Sequence, residues 1–172
     1  KAYQKNILDT GKAHPGWRPL QKWDVSLGGE THHRMSLGDG ILIKDNHLAL
    51  MKNKKPAVLT ACRMAQVIAS KDKPVIIEVE SLAEVRDALH GKADIILLDN
   101  MTPARVKQAV KLIGGRALVE VSGGITMKNV RAMAAAGPDR ISIGALTHSA
   151  PAATINLVLE PRRRLRGPSS FG

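Results

Sequence analysis

Four basic side chains in the first part of the chain form a candidate site for an anionic ligand. They are Lys12, His33, Arg34 and Lys44. Lys44 follows the apolar run Ile41-Leu42-Ile43, a pattern typical of a buried strand that delivers polar residues at its C-terminal end. A strand that ends in a solvated loop gives the same pattern. Basic groups gathered in this way would bind a ligand that carries several carboxylates or phosphates.

Two acidic residues, Glu80 and Asp99, end two later apolar runs. The runs read as neighbouring strands, so the two carboxylates would lie side by side at adjacent strand ends. Such a pair can hold Mg²⁺ directly or through water, bind ribose hydroxyls, or stabilise a cationic centre by its charge. Two solvated strand ends are the alternative. We expect Glu78 on the opposite face of the strand from Glu80.

A glycine pair follows the next predicted strand, in the segment Ser122-Gly123-Gly124-Ile125-Thr126. Glycine lets main-chain N–H groups approach an anion, and a helix over residues 127–136 would add the positive end of its dipole. Gly144, after the last predicted strand, would complete a phosphate site, because the loops after the last two strands bind phosphate in many barrels. We favour this interpretation over a plain Gly-Gly turn.

These residues need a scaffold of alternating strands and helices. Apolar runs at residues 7–10, 41–43, 74–80, 95–100, 117–121 and 140–144 predict six strands, and helical patterns lie between them. Continuous apolar strands are typical of a parallel sheet buried on both faces. In a closed parallel barrel all the carboxyl ends form one rim, where active sites lie. The sequence therefore predicts an α/β fold, a six-stranded (β/α) barrel, as one domain over residues 1–160.

The composition favours a small anionic partner. The 26 Lys and Arg against 15 Asp and Glu give a net charge of +11, which attracts polyanions. Only four aromatic residues are available for base stacking, so nucleic acid is disfavoured. The single cysteine fits a reducing compartment, and we expect a cytoplasmic protein without a membrane span. Residues 161–172 predict a disordered basic tail, with an anion-binding arm as the alternative.

Several motifs resemble those of nicotinate-nucleotide diphosphorylase (carboxylating), the quinolinate phosphoribosyltransferase family. The matching segments, in order over roughly residues 7–158, are His33-Arg34, Leu37-Gly38-Asp39, Leu42-Ile43-Lys44-Asp45-Asn46-His47, Glu78-Val79-Glu80, Leu97-Leu98-Asp99-Asn100-Met101, Ser122-Gly123-Gly124-Ile125 and residues 141–150. The resemblance implies the C-terminal barrel domain of a pentosyltransferase of NAD biosynthesis. That enzyme joins quinolinate to phosphoribosyl pyrophosphate with Mg²⁺ and yields nicotinate mononucleotide, pyrophosphate and CO₂. The resemblance also implies a homo-oligomer, a dimer or larger.

The resemblance further implies a role for each matching residue. The carboxylates of quinolinate and the phosphates would be surrounded by His33, Arg34, Lys44 and Lys12. The catalytic set would be Lys12, Lys44, Glu80 and Asp99. Of these, Glu80 and Asp99 would hold the ribose hydroxyls and, through water, the metal. The 5-phosphate would be bound by Ser122, Gly123, Gly124, Gly144 and His148.

The chain also departs from the family pattern. The family's Thr-Arg-Lys-Thr reads Thr10-Gly11-Lys12-Ala13 here, and His32 stands where an Asn precedes the His-Arg pair. We expect the family's N-terminal domain, which supplies an Arg to the neighbouring subunit's site, to be missing. Two alternatives to the enzyme therefore stay open: an inactive or truncated relative that binds a phosphorylated or dicarboxylate ligand without turnover, and a basic nucleic-acid-binding protein.

Overall fold

In the part of the chain that the structure describes, six parallel strands form one sheet in the order β1-β6-β5-β4-β3-β2. The computed structural model describes residues 6–10, 12–51, 54 and 56–159. The strands are β1 (Asn6–Leu8), β2 (Ile41–Ile43), β3 (Val75–Val79), β4 (Ile95–Asp99), β5 (Leu118–Ser122) and β6 (Arg140–Ser142). Each strand lies within or beside a predicted apolar run, so the prediction of an α/β fold with six parallel strands is confirmed.

The strand order is the one that strands follow around a barrel, with β1 and β2 as the two ends of the sheet. Within the described part of the chain, no ladder of hydrogen bonds joins β1 directly to β2. A single bridge between Leu8 and Thr31 connects β1 to the segment that leads into β2. Because every pair of neighbouring strands is parallel, the carboxyl ends of all six strands point the same way, as the sequence predicted.

Seven α-helices and a 3₁₀ helix (Leu37–Asp39) lie between or after the strands in the described residues. The α-helices are α1 (Arg18–Leu27), α2 (Asp45–Ala49), α3 (Ala57–Ile68), α4 (Leu82–His90), α5 (Pro103–Ile113), α6 (Val130–Ala135) and α7 (Ala145–His148), and α2 and α3 both lie between β2 and β3. A capping box begins α4: Ser81 Oγ accepts from the Glu84 N–H at 3.2 Å, and Glu84 Oε2 accepts from the Ser81 N–H at 3.0 Å. Thr102 caps α5 in a similar way.

The helices α3 to α6 cover one face of the sheet and build the main core. Strand residues such as Ile77 and Leu98 pack there against helix residues such as Val85 and Val106, all of them fully buried. The opposite face, here called the inner face, carries the small apolar cluster Ile76, Ile95 and Leu97, with Leu42 packed against it. Further along the strands the inner face is polar.

Helix α1 turns its apolar stripe outward. Apolar residues recur in residues 17–27 at a spacing typical of a helix, and α1 forms there. The residues of that periodicity are nevertheless exposed: Trp17 by 61%, Leu20 by 51%, Trp23 by 61% and Leu27 by 68%. The helix instead buries Lys22 and Val25. A large exposed apolar stripe is a surface that could meet another protein.

Two aspartates join neighbouring strands at the amino end of the sheet. Asp94, just before β4, accepts the first N–H of β3 from Val75 at 2.8 Å. Asp139, just before β6, accepts the N–H of Val119 on β5 at 2.8 Å. In each case the aspartate's own N–H also donates to the carbonyl of the same residue at 2.9 Å. These paired contacts fix the register of β4 against β3 and of β6 against β5.

Two remaining predictions concern the C-terminal segment and the absence of a membrane span. Residues 150–159 have no regular secondary structure. The predicted tail at 161–172 lies outside the described residues. None of the helices in the described ranges has the length and apolar character needed to cross a membrane.

Candidate active site

Lys44 is held at the carboxyl end of β2 beside Glu78 of β3. Its Nζ lies 2.9 Å from Glu78 Oε2, and the Lys44 side chain is 49% exposed against 12% for Glu78. The Lys44 N–H donates to His47 Nδ1 at 3.0 Å, which fixes the turn from β2 into α2. Glu78 therefore faces the same side as Lys44. Residues two apart along a strand point to the same face, so the expectation that Glu78 lies on the opposite face from Glu80 is wrong.

Asp99 organises the neighbouring strand ends. Its Oδ1 accepts from Ser122 Oγ at 2.7 Å, and its Oδ2 accepts from Asn100 Nδ2 at 2.6 Å. Asp99 and Ser122 are register partners in the β4–β5 ladder, so their side chains lie on one face. The structure thus brings together two residues that the sequence assigned to one site from separate strands.

The glycine pair after β5 has the open conformation expected of an anion cradle. Gly123 has φ of +82° and Gly124 has φ of +60°, both in the left-handed region that favours glycine. Asn129 closes the loop by donating to the Gly124 carbonyl at 2.9 Å and accepting from the Thr126 N–H at 2.8 Å. Gly124 is exposed, whereas Ser122 and Gly123 are partly buried.

The helix after this loop is shorter than predicted. We expected a helix over residues 127–136, whereas α6 spans only Val130–Ala135 and turns precede it. The residues predicted to form the first turn of this helix instead belong to the loop, which Asn129 closes by its contacts with Thr126 and Gly124. An anion at Gly123 and Gly124 would therefore depend on the main-chain N–H groups of the loop itself, because the positive end of a helix dipole acts only close to the first turn.

Gly144 and His148 meet after β6. A Cβ on Gly144 would lie 2.7 Å from His148 Nε2, so the imidazole closely approaches the main chain there. His148 Nδ1 lies 2.6 Å from Ser149 Oγ. In the same short helix α7, Thr147 Oγ1 donates to the Lys12 carbonyl at 2.8 Å, which ties the end of β6 to the segment after β1.

His33 and Arg34 line a cavity of about 320 Å³ near the start of α1. The other lining residues are Arg18, Met35, Ser36 and Leu37. His33 Nε2 lies 3.1 Å from Glu120 Oε1, and the Arg34 guanidinium donates to the Gly40 carbonyl at 3.3 Å. Burial lowers the pKa of Arg34, and the nearby Asp39 carboxylate acts in the opposite direction. An arginine nevertheless stays charged at neutral pH.

A buried ion pair that was not predicted from the sequence lies next to His33. Asp9, fully buried after β1, lies 2.8 and 2.6 Å through its two oxygens from Lys22 Nζ of α1. Asp9 Oδ1 also accepts from the main-chain N–H of His33 at 3.1 Å. The position of Lys22 within an otherwise amphipathic helix was the available signal, but lysine usually lies at a surface.

Two predicted site residues make no side-chain contacts at the rim. Glu80 follows the register partners Val79 and Leu98, which places it level with Asp99 as predicted. Its side chain is exposed and has no hydrogen bond or ion pair with any described residue, although its N–H donates to Glu84 Oε2. The Lys12 side chain is likewise exposed, and only its main chain is anchored, to Thr10 and Thr147.

The acids of the rim can hold a metal only as a small set. Across the ranges that the structure describes, no group of three or more His, Cys, Asp or Glu side chains is arranged around a common point. Mg²⁺ commonly uses one or two carboxylates and takes its other ligands from water and substrate phosphates. Asp99 with Glu80 or Glu78 therefore fits a magnesium that is shared with a phosphorylated ligand.

The similarity to known proteins agrees with this geometry. The family model described as the C-terminal domain of quinolinate phosphoribosyl transferase matches residues 1–158. The chain belongs to the quinolinate phosphoribosyl transferase family. Its residues 1–158 thus correspond to the barrel domain of that family, as the motifs predicted.

Individual members of the quinolinate phosphoribosyl transferase family are similar along most of the chain. A Bacillus subtilis protein named a probable nicotinate-nucleotide pyrophosphorylase (carboxylating) is 38% identical over 154 residues, which cover 90% of this chain and 52% of the relative. The Mycobacterium leprae nicotinate-nucleotide pyrophosphorylase (carboxylating) is 40% identical, with 89% and 53% covered. The crystal structure of a NadC deletion mutant superposes with a TM-score of 0.80 at 39% identity, covering 86% of this chain and 51% of that one. The chain spans about half the length of the curated relatives it matches.

Proposed function

We propose that this protein transfers the phosphoribosyl group of phosphoribosyl pyrophosphate to quinolinate, with decarboxylation, in NAD biosynthesis. The observation that carries the proposal is the contact of Ser122 with Asp99, which joins a glycine loop to a carboxylate at adjacent strand ends. Lys44 follows β2 in the same sheet, where it contacts Glu78 of β3, the strand next to β4. A phosphate cradle, an acid and a cation on one rim suit a phosphorylated sugar and an anionic acceptor.

In this proposal phosphoribosyl pyrophosphate binds along the ends of β4, β5 and β6. The 5-phosphate accepts hydrogen bonds in the region of Ser122, Gly123, Gly124, Gly144 and His148. Asp99 and Glu80 accept hydrogen bonds from the ribose hydroxyls. Glu78 is a third acceptor for these hydroxyls, because its contact with Lys44 places its carboxylate at the same rim. Both oxygens of Asp99 already accept one hydrogen bond each, which orients the carboxylate before the ligand arrives.

Quinolinate binds through its two carboxylates to the basic group formed by His33, Arg34, Lys44 and Lys12. Its pyridine nitrogen then attacks the anomeric carbon of the ribose as pyrophosphate leaves. The ring nitrogen becomes positively charged, and its charge stabilises the electron pair that stays on the adjacent ring carbon when the carboxylate departs as CO₂, after which that carbon takes up a proton. The protein mainly positions two polyanions and offsets their mutual repulsion.

Mg²⁺ belongs to the proposal as the cofactor, with Asp99 and Glu80 as its protein contacts through water. When bound, it neutralises charge on the phosphates. A homo-oligomer, a dimer or larger, in the cytoplasm also belongs to it, and the exposed stripe of Trp17, Trp23 and Leu27 on α1 supports the oligomer. Equilibrium sedimentation of the protein measures the assembly directly.

The test of the activity combines the protein with quinolinate, phosphoribosyl pyrophosphate and Mg²⁺ and follows nicotinate mononucleotide. We expect Lys44→Gln to raise the KM for quinolinate about ten- to a hundredfold, because it loses one charge-assisted contact. Lys107→Gln, on the exposed surface of α5, removes the same charge and should leave the KM unchanged. Asp99→Asn should weaken binding of phosphoribosyl pyrophosphate more than that of quinolinate.

Two outcomes would contradict the proposal. Tight binding of both ligands without any product would identify a non-catalytic relative. Equal effects of Lys44→Gln and Lys107→Gln would show that Lys44 acts only through the overall charge of the protein.

A further inference from the structure

Glu120 is an acidic residue buried in the middle of the sheet. It lies on β5 opposite Leu97 of β4, so its side chain is on the inner face, two residues before Ser122. The residue is fully buried, with an exposed fraction of 0%. Burying a carboxylate is costly unless its oxygens have partners, so its contacts should explain its presence.

The contacts of Glu120 converge on His33. Glu120 Oε1 accepts a hydrogen bond from Ser142 Oγ of β6 and lies 3.1 Å from His33 Nε2. Its second oxygen, Oε2, is buried and has no hydrogen-bond partner in the described residues. An apolar residue would avoid the cost of that unsatisfied oxygen. The carboxylate is therefore best explained by what it does for the imidazole.

His33 is held from two sides by buried carboxylates. Asp9 accepts from its main-chain N–H at 3.1 Å, and Glu120 faces its ring at Nε2. The His33 side chain is only 9% exposed and forms part of the cavity wall beside Arg34. A carboxylate at Nε2 keeps the proton on that nitrogen, because a carboxylate can only accept. The nitrogen left for a ligand is then Nδ1, which donates to a carboxylate only when it also carries a proton.

We infer that Glu120 is a positioning residue for His33: it fixes the plane of the imidazole and keeps its Nε2 as a hydrogen-bond donor, so that Nδ1, protonated when the dicarboxylate is bound, is the second donor and faces that ligand. The inference rests on the proposed function in that it takes His33 to contact quinolinate. Ser142 assists by holding the same oxygen of Glu120 in place.

The first test reads the histidine itself and needs no activity. The ¹⁵N chemical shifts of the His33 ring, assigned by comparison with His33→Gln, should show a proton on Nε2 in the wild-type protein. In Glu120→Leu, which removes the acceptor, the proton should distribute over both ring nitrogens. A wild-type His33 without a proton on Nε2 would overturn the inference, even if the Leu variant fails to fold.

The second test measures both ligands separately by calorimetry. Glu120→Leu should weaken quinolinate binding about ten- to a hundredfold, as expected for loss of a contact with a charged group, and change phosphoribosyl pyrophosphate binding far less. Glu120→Gln keeps an acceptor oxygen and should restore most of the quinolinate affinity. Asp139→Asn is the matched control, because it alters a carboxylate just before β6 that accepts from the N–H of Val119, the residue before Glu120, at the amino end of the sheet.

The outcomes separate the two claims. Equal losses for both ligands in the Leu and Gln variants would reduce Glu120 to a structural role and refute the inference. If the wild-type protein binds no quinolinate but the His33 tautomer still depends on Glu120, the positioning role stands and the proposed function fails.

Discussion

Replacing the two glycines after β5 one at a time should have clearly different consequences. A Cβ at Gly123 would collide with Asn100 Oδ1 and lie 2.8 Å from the Asn100 main-chain nitrogen. The Asn100 side chain cannot move away freely, because its amide donates to Asp99. A Cβ at Gly124 would meet nothing within 4 Å. Both residues share a positive φ, so only the steric term differs.

The magnitudes follow from these two terms. Alanine in the left-handed region costs about 1 kcal/mol of unfolding free energy, which both variants lose. Crowding against the Asn100 main chain adds about 1 to 3 kcal/mol for Gly123→Ala alone. Since each kcal/mol shifts Tm by about 2 to 4 °C in a chain of this size, Gly123→Ala should melt about 2 to 12 °C below Gly124→Ala.

The comparison is robust because both variants change the unfolded chain in the same way. Removing a glycine restricts the unfolded state equally at either position, so that contribution cancels in the difference. Urea unfolding followed by circular dichroism gives the two free energies, and calorimetry with phosphoribosyl pyrophosphate gives the effect on the cradle. If the two variants melted together, or if Gly124→Ala were the less stable, the close packing of Gly123 on Asn100 would not limit this loop.

Two further predictions concern buried groups. Lys22→Met leaves the Asp9 carboxylate buried without its partner and should lower the free energy of unfolding by about 3 to 5 kcal/mol. The double variant with Asp9→Asn should lose less than the sum of the losses of the two single variants. Additive losses in urea unfolding would contradict a direct ion pair. Burial raises the pKa of the Cys62 thiol from 9.0 to about 12, so the native thiol should resist alkylation near neutral pH. Because the unfolded thiol ionises first, its contribution to stability is complete below about pH 9 and is lost as the pH rises towards about 12, a slope that Cys62→Ala should remove.

The fold could be predicted from the sequence because each strand is marked by a continuous apolar run. Such runs identify strands buried on both faces, and the capping box at Ser81 marks where a helix begins. The apolar periodicity of α1 also predicted a helix, but it did not indicate which face is buried. Lys22 lies inside because Asp9 stabilises its charge there, and no local pattern of residues encodes that pairing.

The site could be predicted where its residues follow a strand directly, and not where they depend on contacts across the sheet. Ser122 and Asp99 both end apolar runs, and the structure brings them into contact. Glu78 and Glu120 instead lie within their strands, and their partners Lys44 and His33 are distant in sequence. Their orientation depends on strand register, which emerges only when the whole sheet is assembled.

The two aspartates at the amino end of the sheet, Asp94 and Asp139, have a consequence for how this protein can change. They fix strand register with contacts that involve none of the residues proposed for ligand binding. Substitutions at the opposite rim can therefore alter which anion is recognised without shifting one strand along its neighbour. This separation makes the rim a suitable place to redesign ligand selectivity, with Asp94 and Asp139 left as they are.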